Sequence, residues 1–448
     1  MPLNDYLQNV GIVGAAGKMG SGIALLIAQE MTLQRLLPDN KTKTYALHLV
    51  DVDSARLEGL LQYLRTQAVK YAERGIVTLR NAYRDHPDLI ENHEFIQQFV
   101  SDLFLNVRVG TNLDQLKNCQ LVFEAVIEKP SLKVSILKKL NKICSQNTFY
   151  LTNTSSIPIG YLDEKAGLNG RIIGYHFYNP PAVQKLVEVI SPKGMNDELQ
   201  KLGQELGIQL RKTLIPSHDI AGFIGNGHFM RDGLHALLEV EKLRNNFSFV
   251  EAVYIMNRIS QDFLIRPMGI FQLIDYVGVD VFQCILKSMN PYFPKEDLHH
   301  PLIDKMVRKK ILGGQHPDGS QKDGFLKYEK NRPIGVFDLK KSTYVRFDQG
   351  DWKNKVDEKI GNPPEGFYPW RSLLGDPAKE EKLTLYFQNL QVSTTMGANL
   401  ALNYLHRSKA IGEQLVADGV AKSADDVNGV LLNGFYHLYG PINNYALI

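Results

Sequence analysis

The stretch that decides the fold is Val10-Gly11-Ile12-Val13-Gly14-Ala15-Ala16-Gly17-Lys18-Met19-Gly20, followed by an apolar segment from Ser21 to about Arg35. Its first four residues have a strand-like pattern, the glycines recur at every third position, and the apolar segment has the length of a helix. Glycines between a strand and a helix let the backbone turn sharply and approach a pyrophosphate, whose charge is stabilised by the amides at the helix N-terminus. Alone, this glycine spacing is weak evidence for a nucleotide site.

The residues after this helix strengthen that interpretation. A second strand-like run, Ala46 to Val50, ends at Asp51, where a carboxylate can accept hydrogen bonds from the adenosine ribose hydroxyls. Such an acid favours NAD over NADP. Asp51 could instead cap the helical segment that follows, although Asp53 is able to take that role. Strand, loop, helix, strand and acid together predict a dinucleotide site with contacts from Gly14, Gly17, Lys18, Met19, Gly20 and Asp51.

Strands continue to alternate with helices up to about residue 216. Residues 54 to 118 have a mostly helical pattern, and Leu121 to Val126 and Thr148 to Leu151 have the pattern of buried strands. This alternation predicts a Rossmann-like, doubly wound parallel sheet, in which ligands gather at the carboxyl ends of the strands. Ser155 lies at such an end, within Thr152-Asn153-Thr154-Ser155-Ser156, where an ordinary turn or cap is the alternative.

A histidine and a glutamate are predicted to meet in the last part of this sheet. His176 and Glu188 lie in two apolar runs, Arg171 to Phe177 and Leu186 to Ile190, joined by a segment that contains Pro180-Pro181. Such a turn can fold one strand back beside the other. A carboxylate beside a histidine fixes the imidazole tautomer and stabilises the imidazolium, which suits proton abstraction near neutral pH. Taken alone, a buried histidine or glutamate is more often a structural hydrogen-bonding group.

The sequence changes character after about Pro216. Regular strands stop, and apolar positions recur at helix spacing over residues 226–244, 250–264 and 271–288. We therefore predict an α/β fold plus an all-α region, with residues 1–216 as the Rossmann-like NAD-binding domain and 217–330 as a helical domain. Asn226, at the predicted start of the first helix, is either a plain cap or an amide that faces the cleft.

Composition limits the classes of partner. The 448 residues include 51 Lys and Arg against 48 Asp and Glu, a net charge of +3 without a long basic tract, so nucleic acid is not expected as a partner. No apolar run reaches the ~18 residues of a membrane span. Cys119, Cys144 and Cys284 lie far apart, which excludes a CxxC metal site and fits a reducing, cytoplasmic setting. We expect a cytoplasmic protein without a metal site.

Several of these segments, taken in order, resemble the L-3-hydroxyacyl-CoA dehydrogenase family across about residues 10 to 330. They are the glycine loop, Glu124-Ala125-Val126-Ile127-Glu128-Lys129-Pro130-Ser131-Leu132-Lys133, Asn153 to Ser156, His176-Phe177-Tyr178-Asn179-Pro180, Leu186 to Ile190, Asp219 to Asn226 and Pro267-Met268-Gly269 to Asp280. The resemblance implies NAD as cofactor and an acyl-CoA substrate. It also implies reversible oxidation of L-3-hydroxyacyl-CoA to 3-ketoacyl-CoA, as in fatty acid beta-oxidation or short-chain acyl-CoA metabolism.

The resemblance also implies roles for single residues. His176 matches the catalytic base, and Glu188 matches its carboxylate partner. Ser155 matches the serine that hydrogen-bonds the substrate oxygen, and Asn226 matches the asparagine that completes the polar cluster. The cofactor-side positions are Glu128, Asn153, Asn179 and Lys133, of which Lys133 is expected to contact the nicotinamide ribose.

Some positions depart from the family pattern. The family usually has GxGxxG, whereas here the first two glycines are three residues apart, so the pyrophosphate contacts are expected to be rearranged. The connection from Met31 to Tyr45 is longer than usual. Gln67 and Arg74 stand where family members place a serine and a lysine against the CoA moiety. Arg74 can still hold a phosphate with two hydrogen bonds, and it is predicted to bind substrate.

The last 118 residues are predicted to form an irregular connector, 331–381, and a second, degenerate helical unit, 382–448. With a shift of 171 residues, Leu234-His235 aligns with Leu405-His406, Asn257 with Asn428 and Gly269 with Gly440. This repeat resembles the tandem arrangement of longer family members. Short members dimerise through one such unit, and a tandem chain can bury the same surface within itself. We therefore expect either a monomer or a homodimer. Those longer relatives also carry an enoyl-CoA hydratase domain, and none fits here, so a separate hydratase partner is a hypothesis.

Two other classes of protein are alternatives to this family. The first is an NAD-dependent dehydrogenase of a sugar acid or another hydroxy acid, against which His176-Phe177-Tyr178-Asn179-Pro180 and Glu188 argue. The second is a non-catalytic NAD-binding relative, which would be expected to have lost His176 or Glu188.

Overall fold

A computed structural model describes residues 2–316 and 319–445, and the chain divides into two compact units between Ile220 and Ala221. The first unit contains all of the residues predicted to form the Rossmann-like domain. The second contains both of the segments predicted to be helical units. In the described part of the chain, none of the helices combines the length and the apolar character needed to cross a bilayer.

The first unit is built on one eight-stranded sheet with the strand order β3-β2-β1-β4-β5-β6-β7-β8. All neighbouring strands pair in parallel except β6 and β7, which are antiparallel. The predicted doubly wound sheet is therefore confirmed, and the prolines after His176 do fold β7 back beside β6. The strands are β1 Asn9–Val13, β2 Ala46–Val50, β3 Val107–Gly110, β4 Leu121–Glu124, β5 Phe149–Thr152, β6 Ile172–Phe177, β7 Leu186–Ile190 and β8 Thr213–Ser217.

Helices connect these strands and bury their apolar faces on the sheet. The helix after the glycine loop begins at Lys18, earlier than predicted, because the loop ends within the glycine run itself. Strand β3 was not predicted, since its sequence Val-Arg-Val-Gly gives a half-exposed edge strand with little apolar signal. The helices are α1 Leu3–Tyr6, α2 Lys18–Leu36, α3 Ser54–Arg74, α4 Ile76–Ala82, α5 Asn92–Asn106, α6 Pro130–Ile143, α7 Ile159–Ala166 and α8 Asp197–Gln209.

The second unit is mainly helical around a single apolar core. A short antiparallel sheet of order β11-β10-β9 packs at its side, and a π-helical turn, Ile259–Phe263, extends α10. Its elements are α9 Phe223–Leu243, α10 Phe249–Arg258, α11 Ile270–Val277, α12 Val279–Met289, α13 Pro301–Arg308, β9 Leu326–Glu329, β10 Arg332–Asp338, β11 Thr343–Arg346, α14 Trp352–Ile360, α15 Lys379–Val392, α16 Met396–Ala417 and α17 Ala424–Gly434.

Three predictions about this unit need correction. The helix expected over 271–288 is broken at Gly278, whose φ of +112° interrupts the helical backbone. The helical unit expected from residue 382 is interrupted before Thr395, whose hydroxyl caps α16 by accepting from the Ala398 amide. The connector 331–381 is not irregular, since it contains β10, β11 and α14. Its prolines lie outside the hydrogen-bonded centres of these elements, except Pro333 at an irregularity in β10.

The 171-residue repeat has a counterpart in the geometry. The Asn257 side-chain oxygen accepts from the Phe271 amide at 3.1 Å, and the Asn428 oxygen accepts from the Ile442 amide at 3.0 Å. At both sites a Cβ on the glycine two residues earlier, Gly269 or Gly440, would collide with that asparagine. The second helical segment is therefore a structural repeat of the first.

Candidate active site

The glycine loop joins β1 to α2 in the way a dinucleotide site requires. Gly14 has a φ of +77°, and a Cβ there would lie 2.7 Å from the Ala125 carbonyl oxygen. A Cβ on Gly20 would collide with the Gly14 carbonyl, so both positions are closed to larger residues. Gly17, which has no side chain, occupies the cap position of α2. The loop thus brings a bare backbone to the N-terminus of a long helix, an arrangement that suits a phosphate group.

Asp51 is tied to this loop. Its Oδ2 accepts a hydrogen bond from the Ala16 amide at 3.1 Å. The cap of α3 is Asp53, whose carboxylate accepts from the amides of Ala55 and Arg56. The alternative interpretation of Asp51 as the helix cap is therefore wrong. Lys18 and Met19 form the first turn of α2, where Lys18 is exposed and Met19 packs against the core.

A buried ionic cluster lies beyond β4. The Lys133 side chain is 1% exposed, and its Nζ contacts both carboxylate oxygens of Glu124 at 2.9 Å and Glu128 Oε2 at 3.3 Å. It also donates to the Val126 carbonyl at 3.3 Å. These acceptors fill the three N–H donors of the ammonium group. The Lys133 ammonium is thus engaged by protein acceptors, and its expected contact with the nicotinamide ribose stays a prediction.

Glu128 holds the loop that contains Ser155. Its Oε1 accepts from the Ser155 amide at 2.8 Å, the Ser156 amide at 3.0 Å and the Thr154 hydroxyl at 2.7 Å. Burial would raise the pKa of Glu128, but Lys133 and these donors outweigh it and hold the pKa below its usual value. Glu128 is thus an ionised anchor for the loop, and the Ser155 hydroxyl lies 3.3 Å from the same oxygen.

Lys133 stays charged within this cluster. Burial would lower the pKa of Lys133, but the carboxylates of Glu124 and Glu128 outweigh it and raise the pKa above its usual value. Glu124 also accepts from the Thr152 hydroxyl at 2.6 Å. The cluster therefore joins the ends of β4 and β5 to the start of α6.

His176 and Glu188 face each other directly across β6 and β7. His176 Nδ1 lies 3.0 Å from Glu188 Oε2, and Glu188 is fully buried while His176 is 8% exposed. Tyr178 donates its hydroxyl to the same Oε2 at 2.8 Å, and its ring centroid lies 4.9 Å from that of His176. The two predicted side chains are therefore in contact, together with a tyrosine to which no role was assigned.

Asn153 links this pair to the Ser155 loop. Its side-chain oxygen accepts from the Phe177 amide at 2.9 Å, which joins the end of β5 to the end of β6. Asn179 is half-buried and follows β6 two residues later. Ser155, Asn153 and His176 thus lie at the carboxyl end of the parallel strands, where the sequence placed them.

Two further predicted site residues are not among the contacts described above. Arg74 ends α3 with an exposed side chain, outside the contacts described above. Asn226 belongs to the second unit and is half-buried in the first turn of α9, whose cap is Gly222. The interpretation of Asn226 as a cap is therefore wrong. Among residues 2–316 and 319–445, His, Cys, Asp and Glu side chains form no group of three or more suited to a metal ion.

Sequence reasoning missed Glu124 and Tyr178. Both residues lie in the motifs that carry the family resemblance, and the sequence around each of them indicated that it has a partner. Glu124 ends an otherwise apolar buried strand, where a charge needs a partner. Tyr178 follows His176 by two residues, a spacing that in an extended chain puts both side chains on the same side, although β6 itself ends at Phe177.

The fold and these side chains place the chain in the class of NAD-binding dehydrogenases with a helical second unit. It belongs to the 3-hydroxyacyl-CoA dehydrogenase family. Residues 9–220 match the NAD binding domain of that family, and residues 257–328 match its C-terminal domain. NAD is accordingly the cofactor, and the bare glycine loop with Asp51 beside it fits a dinucleotide.

The names of similar proteins support the assignment to this family. The chain is 27% identical over 316 residues to a probable 3-hydroxybutyryl-CoA dehydrogenase of Deinococcus radiodurans, covering 70% of this chain and 99% of the relative. It is 27% identical over 329 residues to a putative fatty acid oxidation complex trifunctional enzyme of Rickettsia prowazekii, covering 71% of this chain. That match spans only 40% of the Rickettsia protein.

A solved structure extends the similarity of fold beyond residue 330. The crystal structure of 3-hydroxybutyryl-CoA dehydrogenase from Escherichia coli matches 97% of this chain and 90% of its own, with a TM-score of 0.63 and 20% identity. At this identity the match speaks to the fold alone.

Proposed function

We propose that this chain catalyses the NAD-dependent, reversible oxidation of L-3-hydroxyacyl-CoA to 3-ketoacyl-CoA. The observation that carries the proposal is the buried contact between His176 Nδ1 and Glu188 Oε2 at 3.0 Å, beside the carboxyl ends of the parallel strands. Family membership and the names of the relatives support the same activity. The pathway would be fatty acid beta-oxidation or short-chain acyl-CoA metabolism.

The His176–Glu188 pair handles the proton. Glu188 accepts from the Nδ1 side of the ring, so Nε2 is the nitrogen that exchanges a proton with the substrate 3-oxygen. In the oxidation direction a neutral His176 takes the hydroxyl proton, and Glu188 stabilises the imidazolium that forms. In the reduction direction the imidazolium returns the proton. When bound, NAD supplies the hydride acceptor for C3.

The remaining polar residues hold the substrate and the cofactor. Ser155 would hydrogen-bond the 3-oxygen, and Glu128 fixes the loop from which it does so. For Asn226 we keep the role that the family resemblance implies, that of the asparagine that completes the polar cluster. We also assign Lys133 an indirect role, through Glu128, because protein acceptors engage its donors. The proposed cofactor contacts are Gly14, Gly17, Lys18, Met19, Gly20, Asp51, Asn153 and Asn179.

The substrate, partners and compartment are further parts of the proposal. Arg74 would hold a phosphate of the CoA moiety, which its exposed position at the end of α3 permits. A separate enoyl-CoA hydratase partner is supported by the trifunctional name of the Rickettsia relative. A cytoplasmic location is supported by the wide separation of the three cysteines along the sequence, which does not suggest a disulfide framework. We also propose a monomer, because α16 of the second helical segment packs along α9 of the first.

The test is NADH oxidation with acetoacetyl-CoA and with longer 3-ketoacyl-CoA thioesters, set against sugar acids or other hydroxy acids with NAD. We expect turnover with the thioesters and none with the acids. Measurable NADH binding without turnover of any 3-ketoacyl-CoA would rule the proposal out. Rates across acyl lengths would then define the chain-length preference.

A further inference from the structure

We propose that Tyr178 is a positioning residue for the His176–Glu188 pair, and that its hydroxyl, by donating to the Glu188 carboxylate, fixes the imidazole and lowers the basicity of His176. The kinetic part of this inference rests on the proposed function. The part that concerns the proton affinity of His176 does not, because it can be measured without a substrate.

Three contacts define the arrangement. The Tyr178 hydroxyl lies 2.8 Å from Glu188 Oε2, which is also the oxygen 3.0 Å from His176 Nδ1. The Tyr178 and His176 rings lie side by side, with centroids 4.9 Å apart and planes inclined by 42°. Glu188 is the direct cross-strand partner of His176, and Tyr178 follows directly after the end of β6. Tyr178 therefore touches both members of the pair.

The chemistry of a shared acceptor gives the direction of the effect. A carboxylate oxygen that accepts a second hydrogen bond carries less negative charge toward the first donor, so it stabilises an imidazolium less. Burial, together with the charge of Glu188 and the hydrogen bond to it, raises the pKa of Tyr178 far above its usual value, so the phenol remains a donor at all working pH values. Removal of the hydroxyl should raise the proton affinity of His176.

Other charges around the pair are common to the variants compared below. They lie on α7 and α8, which pack on β6, around β8, which pairs with β7, in the loop after β4, and on α6. Because they are retained in each variant, their contribution to the His176 titration cancels in the comparison. These groups are Asp163, Glu164, Lys165, Asp197, Glu198, Lys201, Glu205, Lys212, His218, Asp219, Glu128 and Lys133.

The matched variants are Tyr178→Phe and Tyr175→Phe. Tyr175 lies on β6, three residues before Tyr178, is fully buried and donates its hydroxyl to the Gly203 carbonyl at 3.1 Å, away from Glu188. Each variant loses one buried phenol hydroxyl and keeps its ring. Only Tyr178→Phe removes a donor from the carboxylate that holds His176.

The experiment is an NMR titration of 13C-labelled histidine in the full chain, with the His176 signal assigned by its loss in His176→Gln. We expect the pKa of His176 to rise by about one unit in Tyr178→Phe and to stay unchanged in Tyr175→Phe. An unchanged value in Tyr178→Phe, or an equal rise in both variants, would overturn the inference.

The pH dependence of kcat/KM should shift in the same direction as the titration of His176. In the oxidation direction His176 must be neutral, so the acid limb of kcat/KM should move up by about one pH unit in Tyr178→Phe. In the reduction direction His176 must be protonated, so the basic limb should move up as well. A uniform loss of kcat/KM at every pH, with both limbs in place, would show a role in packing only. A shifted NMR titration in a chain that reduces no 3-ketoacyl-CoA would support the positioning role while the proposed function fails.

Discussion

Lys133 is almost completely buried and yet charged, because Glu124 and Glu128 surround its ammonium group. The sequence marked Glu128 and Lys133 as a pair near the cofactor, and the structure does place them beside the Ser155 loop. The sequence could not reveal that Lys133 also binds Glu124, since that depends on how the loop after β4 turns the start of α6 back toward the end of the strand. The sequence was enough to predict that these charged residues belong near the site. It was not enough to predict which of them contact a ligand and which hold other residues in place.

The Glu128→Gln variant tests this support. The amide still offers an acceptor to the Ser155 loop, but it places an N–H group against the Lys133 ammonium, 3.3 Å from the position of Oε2. We expect faster hydrogen exchange in the loop that follows β5 and a loss of kcat. Lys133→Met, which leaves two buried carboxylates without their cation, should destabilise the first unit by about 3–5 kcal/mol.

The effect of Glu128→Gln should depend on pH. The folded-state pKa of Glu128 is lowered, so its charge contributes stability above the unfolded-state value of about 4.3 and loses that contribution as pH falls through the folded-state value. The difference in hydrogen-exchange protection between wild type and Glu128→Gln should therefore be constant near neutral pH and shrink below about pH 4. A difference that grows on acidification would contradict the assigned ionised state.

At the scale of elements, α9 and α16 are joined by a buried polar cluster. Arg266 lies 2.8 Å from Asp232 on α9 and 3.2 Å from the Ser408 hydroxyl on α16, and the Tyr404 hydroxyl donates to Asp232 at 3.0 Å. The sequence predicted these helices from their apolar spacing. It could not predict the cluster, because Asp232 and Arg266 lie more than 100 residues from Tyr404 and Ser408 in the sequence.

Arg266→Met should destabilise the second unit strongly. The change leaves Asp232 buried without its cation, which typically costs about 3–5 kcal/mol. Both tryptophans, Trp352 and Trp370, lie in this unit, so tryptophan fluorescence during urea unfolding reports on it alone.

Arg244→Met is the matched control for this measurement. Arg244 pairs with Glu241 on the exposed face of α9 and should change stability by less than about 1 kcal/mol. Equal urea midpoints for Arg266→Met and Arg244→Met would contradict the importance of the buried cluster.

At the scale of the whole molecule, the second helical repeat covers the first. Helix α16 packs along α9, with Leu415 against Gly227 and Tyr404 inside the shared core. A slight sequence repeat was enough to predict two related units. The strands β10 and β11, which lie between the two units in the sequence, were not predicted. Their proline and charged residues interrupt the apolar pattern that identifies a strand.

Because the second repeat already covers the apolar side of α9, we predict a monomer. Sedimentation velocity at micromolar concentration should give one species of about 50.6 kDa. Deletion of residues 379–448 would expose the apolar side of α9, so the shortened chain should self-associate or aggregate. A full-length chain that sediments as a stable dimer would contradict the idea that the repeat replaces a second copy.

The central claim is that His176 exchanges a proton with the substrate 3-oxygen while Glu188 holds it. The most direct measurement is kcat for acetoacetyl-CoA reduction and the Kd for NADH in His176→Gln. We predict a fall in kcat of about 10²–10⁴-fold with a nearly unchanged Kd, because the imidazole acts on the substrate and not on the cofactor. A small change in kcat, or a large loss of NADH affinity, would contradict the claim and make His176 a structural residue of the nucleotide site.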